Sequence, residues 1–107
     1  MASLPRLPNL SIIIPTLNEA VHLPLLFADL NEWPYDLDLT IVDGGSKDLT
    51  ISIAQLQGAN VIKSFKKSRG YQLKIGASNA TEDWLLFLHA DSRLNPKWVN
   101  SVSKVIK

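Results

Sequence analysis

The chain has 107 residues, a net charge of +1 from 11 basic and 10 acidic residues, and no cysteine. This length, with 46% hydrophobic residues, predicts one small globular domain with a modest core. The near balance of charge excludes an overall field that would hold nucleic acid or an anionic membrane. The lack of cysteine excludes a disulfide framework and a thiolate zinc site and fits a reducing compartment, so we expect a cytoplasmic protein.

The first ten residues, MASLPRLPNL, contain two prolines and no unbroken apolar stretch. We therefore expect no signal peptide, and no apolar run in the chain is long enough to predict a transmembrane segment. These features predict a soluble protein or one that associates peripherally with a membrane.

Short apolar runs then alternate with amphipathic ones. The isoleucine-rich run LSIIIPT over 10–16 predicts a first, central strand. A helix is predicted next, with Pro24 in its first turn and apolar residues at spacings of three and four: Leu23, Leu26, Phe27 and Leu30. LDLTIVD over 37–43 predicts the second strand. KDLTISIAQLQ, closed by Gly58, predicts the second helix, and NVIKSF predicts the third strand.

The second half of the chain continues the alternation. GYQLKIGASNA over 70–80 predicts a weaker third helix, and DWLLFLH over 83–89 predicts a fourth strand, whose apolar composition is typical of a strand covered on both faces. Asn95 and Pro96 mark the cap and first turn of a last helix, PKWVNSVSKVIK. The alternation predicts an α/β fold, a Rossmann-like, doubly wound and mainly parallel sheet of about four strands with flanking helices.

In such a sheet the ligand crevice lies at the carboxyl ends of the strands. Asp43 closes the second strand and Asp91 follows the fourth, so we expect both carboxylates at that edge. Carboxylate oxygen suits Mg²⁺ or Mn²⁺, and a cation that bridges to a diphosphate needs only one or two protein carboxylates. Because Asn95 and Pro96 already start the next helix, we favour a ligand role for Asp91 over a turn or capping role.

Two side chains flank Asp91, and each has more than one interpretation. His89 lies two residues earlier and, in an extended backbone, on the same side. It binds metal or a substrate hydroxyl, or it is hydrogen-bonded for structure at the strand end. Arg93 either neutralises phosphate charge or forms an ion pair with Asp91.

The turn VDGGSKD after the second strand raises a similar choice. Gly44 and Gly45 permit positive φ and close approach of a ligand to the backbone, and the following helix offers free N–H groups. The same glycine pair is also ordinary loop chemistry. For Ser46 and Asp48 we predict structural roles, as cap and first-turn acid of the second helix.

Basic and aromatic residues supply further candidates. A solvated loop is predicted for the three lysines of KSFKKSRG: Lys63, Lys66 and Lys67. Arg69, which opens a helix, is the best of the basic residues to face a pyrophosphate. Packing is predicted for the three tryptophans, because their spacing does not form a stacking platform for nucleic acid: Trp33, Trp84 and Trp98.

Three stretches, in this order and at these distances, resemble the amino-terminal half of a family 2 glycosyltransferase of the GT-A fold: LSIIIPTLNEA, TIVDGGSKDLT and ATEDWLLFLHADSRLNP. The likeness covers residues 10 to about 98. It implies that the PTLNE segment borders a nucleotide and that the turn after the second strand contacts base and ribose. HAD overlies the DXD motif, which binds a metal on the sugar-nucleotide diphosphate, so the implied metal ligand is Asp91 and the implied cofactor is Mg²⁺ or Mn²⁺.

The resemblance and the residue patterns together give a set of candidate nucleotide-binding residues: Pro15, Thr16, Asn18, Glu19, Asp43, Gly44, Arg69 and His89. Two of them depart from the family pattern. Gly44 stands where the VDDGS turn has its second acidic residue, so uridine specificity is not implied. His89 stands where the DXD motif has its first aspartate, which lowers the negative charge around the cation.

The activity implied by the resemblance is transfer of a sugar, with inversion, from a nucleoside diphosphate to an acceptor hydroxyl. The cation would stabilise charge on the leaving diphosphate, and a carboxylate base would deprotonate the acceptor. In the family that base and the acceptor surface lie beyond the helix after DXD, and no residue here matches the base. We therefore expect residues 1–107 to form a single domain that is incomplete at its carboxyl end.

Three function classes stay open. The chain is an enzyme domain, or a binding module that holds nucleotide without sugar transfer or needs a second half, or an aspartate-nucleophile phosphatase. The phosphatase ranks last, because that chemistry usually places its aspartates after the first strand. An incomplete sheet would also leave an apolar face or strand edge uncovered, which predicts self-association.

Overall fold

The computed structural model describes residues 10–35, 37–64, 66, 68–82 and 84–106. In these ranges strands and helices alternate: β1 (Leu10–Thr16), α1 (Leu23–Leu30), β2 (Asp38–Asp43), α2 (Thr50–Leu56), β3 (Asn60–Lys63), α3 (Arg69–Asn79), β4 (Trp84–Phe87) and α4 (Trp98–Ile106). The predicted order of elements is thereby confirmed. None of the described helices is long and apolar enough to cross a membrane.

Several elements are shorter than predicted. α2 begins only at Thr50, because the carboxylate of Asp48 accepts the N–H of Thr50 at 3.0 Å and holds the preceding residues outside the helix. Gly58 follows α2 with a φ of 87°, as a helix-ending glycine does. Two residues predicted in strands, Phe65 and Asp83, lie outside the described residues.

The described strands form one parallel sheet in the order β3-β2-β1-β4. β1 is central, since residues 11–16 pair with β2 and residues 10–13 pair with β4. Leu88 extends the β4 ladder by donating its N–H to the carbonyl of Ile13 at 3.1 Å. Because all the strands run the same way, the segments after β1, β2 and β4 begin at the same edge of the sheet.

Helices cover both faces of the sheet, which confirms the doubly wound prediction. Ile12 and Ile14 of β1 and Ile41 of β2 are fully buried in one cluster with apolar residues of α1, α2 and α4. Their neighbours Ile13 and Val42 lie on the other face, against α3. Burying each such side chain contributes about 1.5–3 kcal/mol, so the central strands anchor the edge that carries the site.

β4 is not covered on both faces, and that prediction was wrong. Trp84 and Leu85 are each 41% exposed and Phe87 is 47% exposed. The reason is position, because β4 lies at the edge of the sheet that the described strands form, and α3 packs over β1 and β2. The apolar run therefore predicted a strand correctly but not its burial.

Candidate functional site

Hydrogen bonds join the loop after β1 to the loop after β2. Asn18 donates its backbone N–H to the hydroxyl of Ser46 at 2.8 Å, and its side-chain oxygen accepts the N–H of Lys47 at 2.8 Å. Asn18 has a φ of 54°, a left-handed conformation that asparagine tolerates better than most residues. This geometry turns the chain so that Asn18 can pair with two residues of the second loop.

The same connection continues toward α2. Glu19 donates its N–H to the hydroxyl of Thr50 at 2.9 Å, and Ala20 donates its N–H to the carboxylate of Asp48 at 3.1 Å. The hydroxyl of Thr50 also donates to Asp48, and this bond is the main reason that the pKa of Asp48 lies below its usual value. Asp48 thus has a structural role, but it lies two residues before α2 and not in its first turn, where it was predicted.

Asp43 is fully buried and holds the second loop from inside. One carboxylate oxygen accepts from the hydroxyls of Thr16 at 2.8 Å and Ser46 at 2.5 Å, and the other accepts from the N–H groups of Gly45 at 3.0 Å and Ser46 at 2.7 Å. Burial alone would raise the pKa of Asp43, but the hydrogen bonds from Ser46, Thr16 and Gly45 outweigh it and lower the pKa. The carboxylate is therefore charged and saturated with internal donors.

Ser46 does not cap α2, contrary to the prediction. Its hydroxyl donates to Asp43 and accepts from Asn18, so it links the two loops. Ser46 lies four residues before α2 begins, its proton goes to the charged Asp43 in a charge-assisted bond, and its oxygen already accepts from Asn18. Gly45 completes this turn with a φ of 108°, a conformation that favours glycine.

A buried glutamine under the second loop was missed by the sequence analysis. Gln72 of α3 donates from its side-chain amide to the carbonyls of Thr16 at 3.1 Å and Val42 at 2.7 Å. Gly44 donates its N–H to the same carbonyl of Thr16 at 2.9 Å, and a Cβ on Gly44 would lie 3.4 Å from the Gln72 amide. The only sequence signal was a glutamine three residues after Arg69, hence on the same face of the helix.

The segment after β4 exposes both His89 and Asp91 while the residue between them, Ala90, is buried. Ser92 donates its N–H to the carbonyl of His89 at 3.0 Å and closes a turn around Asp91. No hydrogen bond or ion pair engages the Asp91 carboxylate within the ranges that the structure describes. Asn95 and Pro96 were predicted to cap and begin the last helix, but α4 begins only at Trp98. The side-chain oxygen of Asn95 instead accepts the N–H of Lys97 at 2.8 Å in a turn before the helix.

Arg93 does not pair with Asp91, so that interpretation of this residue was wrong, whereas a role toward phosphate stays a prediction. Its Nε lies 2.8 Å and its Nη2 3.1 Å from the two carboxylate oxygens of Asp29 in α1. The hydrogen bond from Arg93 is the largest cause that holds the pKa of Asp29 below its usual value. The sequence did not indicate this pair, because 64 positions separate the two residues.

The remaining candidates of the loops after β1 and β3 differ in exposure. Pro15 is buried at the end of β1, and Glu19 is partly buried with its carboxylate 2.9 Å from the Nδ1 of His22. Arg69 is exposed at the first position of α3, whose preceding residue Ser68 accepts the N–H of Tyr71 at 3.4 Å. Arg69 is thus free to face a ligand near that helix end.

The lysines and tryptophans follow their predictions in part. Lys63 and Lys66 are exposed, and the Nζ of Lys66 lies 5.1 Å from the ring centre of Tyr71, whereas Lys67 lies outside the described residues. Trp33 and Trp98 are buried and stack with their ring centres 5.5 Å apart. Trp84 is exposed and not packed as predicted, because it lies on strand β4.

The topology places the two strand-end aspartates on either side of β1, in different roles. Asp43 faces inward and is saturated, and Asp91 faces solvent without a partner among the described residues. Within that part of the chain, no group of three or more His, Cys, Asp or Glu side chains is placed to hold a metal ion. Mg²⁺ or Mn²⁺ bound at one carboxylate needs its other ligands from phosphate or water, so the residues fit a cation that arrives with a diphosphate.

Comparison with known proteins gives a family match and similar structures. The model of a family described as Glycosyl transferase family 2 matches residues 11–107. A PGL/p-HBAD biosynthesis glycosyltransferase of Mycobacterium bovis is 38% identical over 94 residues, which covers 81% of this chain and 37% of that protein. The chain therefore spans well under half the length of this curated relative.

Two solved structures have the same fold over nearly the whole chain. Residues 1–349 of Staphylococcus aureus TarS give a TM-score of 0.81 at 20% identity, covering 92% of this chain and 32% of that one. The mannosyltransferase PcManGT from Pyrobaculum calidifontis, solved in complex with GDP-Man and Mn²⁺, also gives 0.81 at 20% identity, covering 95% of this chain and 33% of that one. These likenesses confirm the GT-A fold expected from the sequence motifs.

Proposed function

This chain belongs to glycosyl transferase family 2, and we propose that it binds a nucleoside-diphosphate sugar for inverting transfer of the sugar to an acceptor hydroxyl. The observation that carries the proposal is the exposed carboxylate of Asp91, which has no partner among the described residues and follows a strand of a GT-A sheet. A carboxylate that stabilises nothing around it at this edge is available to a ligand. The family membership leaves no support for the phosphatase hypothesis.

The proposed cofactor is Mg²⁺ or Mn²⁺, held by Asp91 and by oxygens of the diphosphate. Support comes from the hard oxygen ligand and from the Mn²⁺ in the similar mannosyltransferase complex. When bound, the cation would neutralise the charge that builds on the leaving diphosphate. His89, exposed two residues before Asp91, would offer a neutral ligand or a hydrogen bond to the donor, and no second negative charge.

The nucleotide is proposed to lie over the joined loops after β1 and β2. Asn18 is exposed and Glu19 is partly exposed on this surface, so both side chains are available to base and ribose. Arg69 is proposed to face the diphosphate, because a guanidinium pairs well with phosphate and the first turn of α3 offers free N–H groups. The Asn18 side-chain oxygen already accepts the N–H of Lys47, so its amide NH₂ would be the group that contacts the nucleotide. The Glu19 carboxylate would act with His22 beside it.

Four further candidates are buried, and we propose that they act by shaping the loops and not by direct contact. Thr16 and Asp43 bond to one another, and Pro15 ends the central strand beside them. The N–H of Gly44 donates to the carbonyl of Thr16 and is therefore not available to a ligand. Their contribution to nucleotide affinity would come from a preorganised surface, which lowers the cost of binding.

A second candidate function is nucleotide binding without sugar transfer. It needs only the joined loops and Asp91, all of which lie in the part of the chain that the structure describes. Both candidates share the donor site and differ in turnover, so release of sugar from a nucleotide donor separates them. The donor sugar and the acceptor are left open by either proposal.

Calorimetric titration of Asp91→Asn with UDP and GDP, with and without Mn²⁺, tests the proposal. We expect Mn²⁺ to strengthen binding to the unaltered protein by about tenfold, or about 1.4 kcal/mol. Asp91→Asn should lose this gain and keep its metal-free binding. The matched control is Glu32→Gln, an exposed carboxylate after α1 that should keep the gain. A full Mn²⁺ effect in Asp91→Asn would remove Asp91 from the cation site.

A further inference from the structure

We infer that Asp29 of α1 is a positioning residue for the cation site, because it holds the Arg93 guanidinium away from the Asp91 carboxylate. The inference rests on the proposed function of Asp91 as the metal ligand. Asp29 would touch neither metal nor nucleotide. Its effect on the cation would pass through Arg93 alone.

The contact between Asp29 and Arg93 is bidentate. The Arg93 Nε donates to one carboxylate oxygen at 2.8 Å and Nη2 donates to the other at 3.1 Å. The N–H of Leu94 donates to the same carboxylate at 2.9 Å. Paired forks of this kind fix the plane of the guanidinium, which an isolated surface contact does not.

Asp29 lies at a helix position where an acidic side chain is unfavourable. It lies in the last turn of α1, where the negative end of the helix dipole disfavours an acidic side chain. Its side chain is only 16% exposed, so solvent compensates little of that cost. A residue that breaks a local rule needs a compensating partner, and Arg93 with the Leu94 N–H supplies it.

Arg93 lies only two residues after Asp91 along the chain. Two residues of extended chain span at most about 7 Å, which an arginine side chain can bridge. Asp91 has no partner in the described ranges, so a released guanidinium would find a free carboxylate within reach. An arginine on Asp91 would cancel the charge that attracts Mg²⁺ or Mn²⁺ and occupy the same oxygens.

A third contact keeps the following segment in place when the ion pair is altered. The indole Nε1 of Trp98 donates to the backbone carbonyl of Asp29 at 3.0 Å, and Trp98 stacks on Trp33. Neither contact uses the Asp29 side chain. We therefore expect Asp29→Ala to fold and to keep α4 docked on α1.

The test is titration of Mn²⁺ into protein saturated with GDP or UDP, for Asp29→Ala, Arg93→Gln and the double variant. Asp29→Ala should weaken Mn²⁺ binding by about three- to fivefold, because Arg93 and Asp91 are both exposed and an exposed ion pair is weak. Arg93→Gln removes the same ion pair without releasing a cation, so its Mn²⁺ affinity should stay within about twofold of the unaltered protein. The double variant should recover to that level, because the competing guanidinium is gone.

Amide hydrogen exchange at Leu94 gives a readout of the contact that needs no metal. Its exchange should accelerate in both Asp29→Ala and the double variant, although only the first loses the cation. Equal Mn²⁺ affinity in Asp29→Ala and the unaltered protein would overturn the inference. Equally weak binding by Asp29→Ala and the double variant would also overturn it, since Asp29 would then act as a structural tether. If the unaltered protein binds no Mn²⁺ with either nucleotide, the proposed function fails and the inference falls with it.

Discussion

Two aspartates lie at the same edge of the sheet, where strands end, and their surroundings give them different roles. Asp43 accepts four hydrogen bonds in a buried turn, whereas Asp91 is exposed and accepts none from the described residues. A buried carboxylate with four donors stabilises the loop and has no capacity left for a ligand. An exposed carboxylate contributes little to stability and is free to bind. The fold and the proposed chemistry therefore rest on different residues.

Replacing Asp43 should cost stability, and replacing Asp91 should not. Asp43→Asn turns an amide NH₂ toward donors that need an acceptor, and we expect a loss of about 2–3 kcal/mol. Asp91→Asn is the matched control, with a change within about 0.5 kcal/mol. Urea unfolding followed by circular dichroism measures both. Equal midpoints for the two variants would contradict the structural role of Asp43.

The contribution of Asp43 should also depend on pH. Because its folded-state pKa is lowered, the stabilisation is complete above the pKa of an unfolded aspartate, about 3.9, and is lost as pH falls through the lower folded-state value. The unaltered protein should therefore lose stability below about pH 4, and Asp43→Asn should lose less. Parallel pH curves for the two proteins would contradict this assignment.

At the residue scale, sequence patterns predict which side chains are available but not how they pair. The motif spacing located Asp91 and its exposure, and the motif order identified the family. The partners of Arg93 and Ser46 were predicted wrongly, because each is chosen by a carboxylate brought close only by folding. Gln72 was missed for the same reason, since its two acceptors lie on different strands.

Among the elements, α3 supports the loop after β2 because the helix packs closely on the sheet. Gly76 faces the sheet, and a Cβ there would lie 2.3 Å from Cγ2 of Ile13 and 3.1 Å from Cγ2 of Val42. The helix therefore rests directly on the two central strands. This approach carries Gln72, one helical turn earlier, to the carbonyls below the Gly44–Gly45 turn.

Gly76→Ala should separate α3 from the sheet. Although alanine favours helix by up to about 1 kcal/mol, overpacking a core typically costs about 1–3 kcal/mol, and we expect a net loss. Gly70→Ala is the control in the same helix, because nothing lies within 4 Å of its added Cβ, and it should be neutral or slightly stabilising. Thermal unfolding checks both variants. A stable Gly76→Ala protein would contradict the close packing of α3.

Element order and type followed from apolar periodicity, whereas element ends and the burial of β4 did not. The run at β1 is buried on both faces, and the similar run at β4 is largely exposed. Composition cannot distinguish them, because burial depends on which strand lies at the edge and on which strands α3 covers. That information resides in the packing of the helices and not in the strand itself.

At the scale of the whole molecule, the exposed β4 predicts association between copies. Trp84, Leu85 and Phe87 present apolar side chains on a strand whose outer edge pairs with no other described strand, and natural edge strands usually carry charge to avoid pairing. Leu85→Lys should weaken self-association by about tenfold or more. Leu56→Lys, on a more exposed leucine of α2, is the control and should not. Sedimentation equilibrium measures both, and a monomer at high concentration before any substitution would contradict the prediction.

The most direct test of the proposed site uses Mn²⁺ as a paramagnetic probe. Added with GDP or UDP to isotope-labelled protein, Mn²⁺ should broaden the amide signals of residues 89–92 first and those of the loops after β1 and β2 next. The signals at the amino ends of β2 and β4, at the opposite edge of the parallel sheet, should broaden least. Broadening centred elsewhere, or none with any nucleoside diphosphate, would contradict a donor site organised around Asp91.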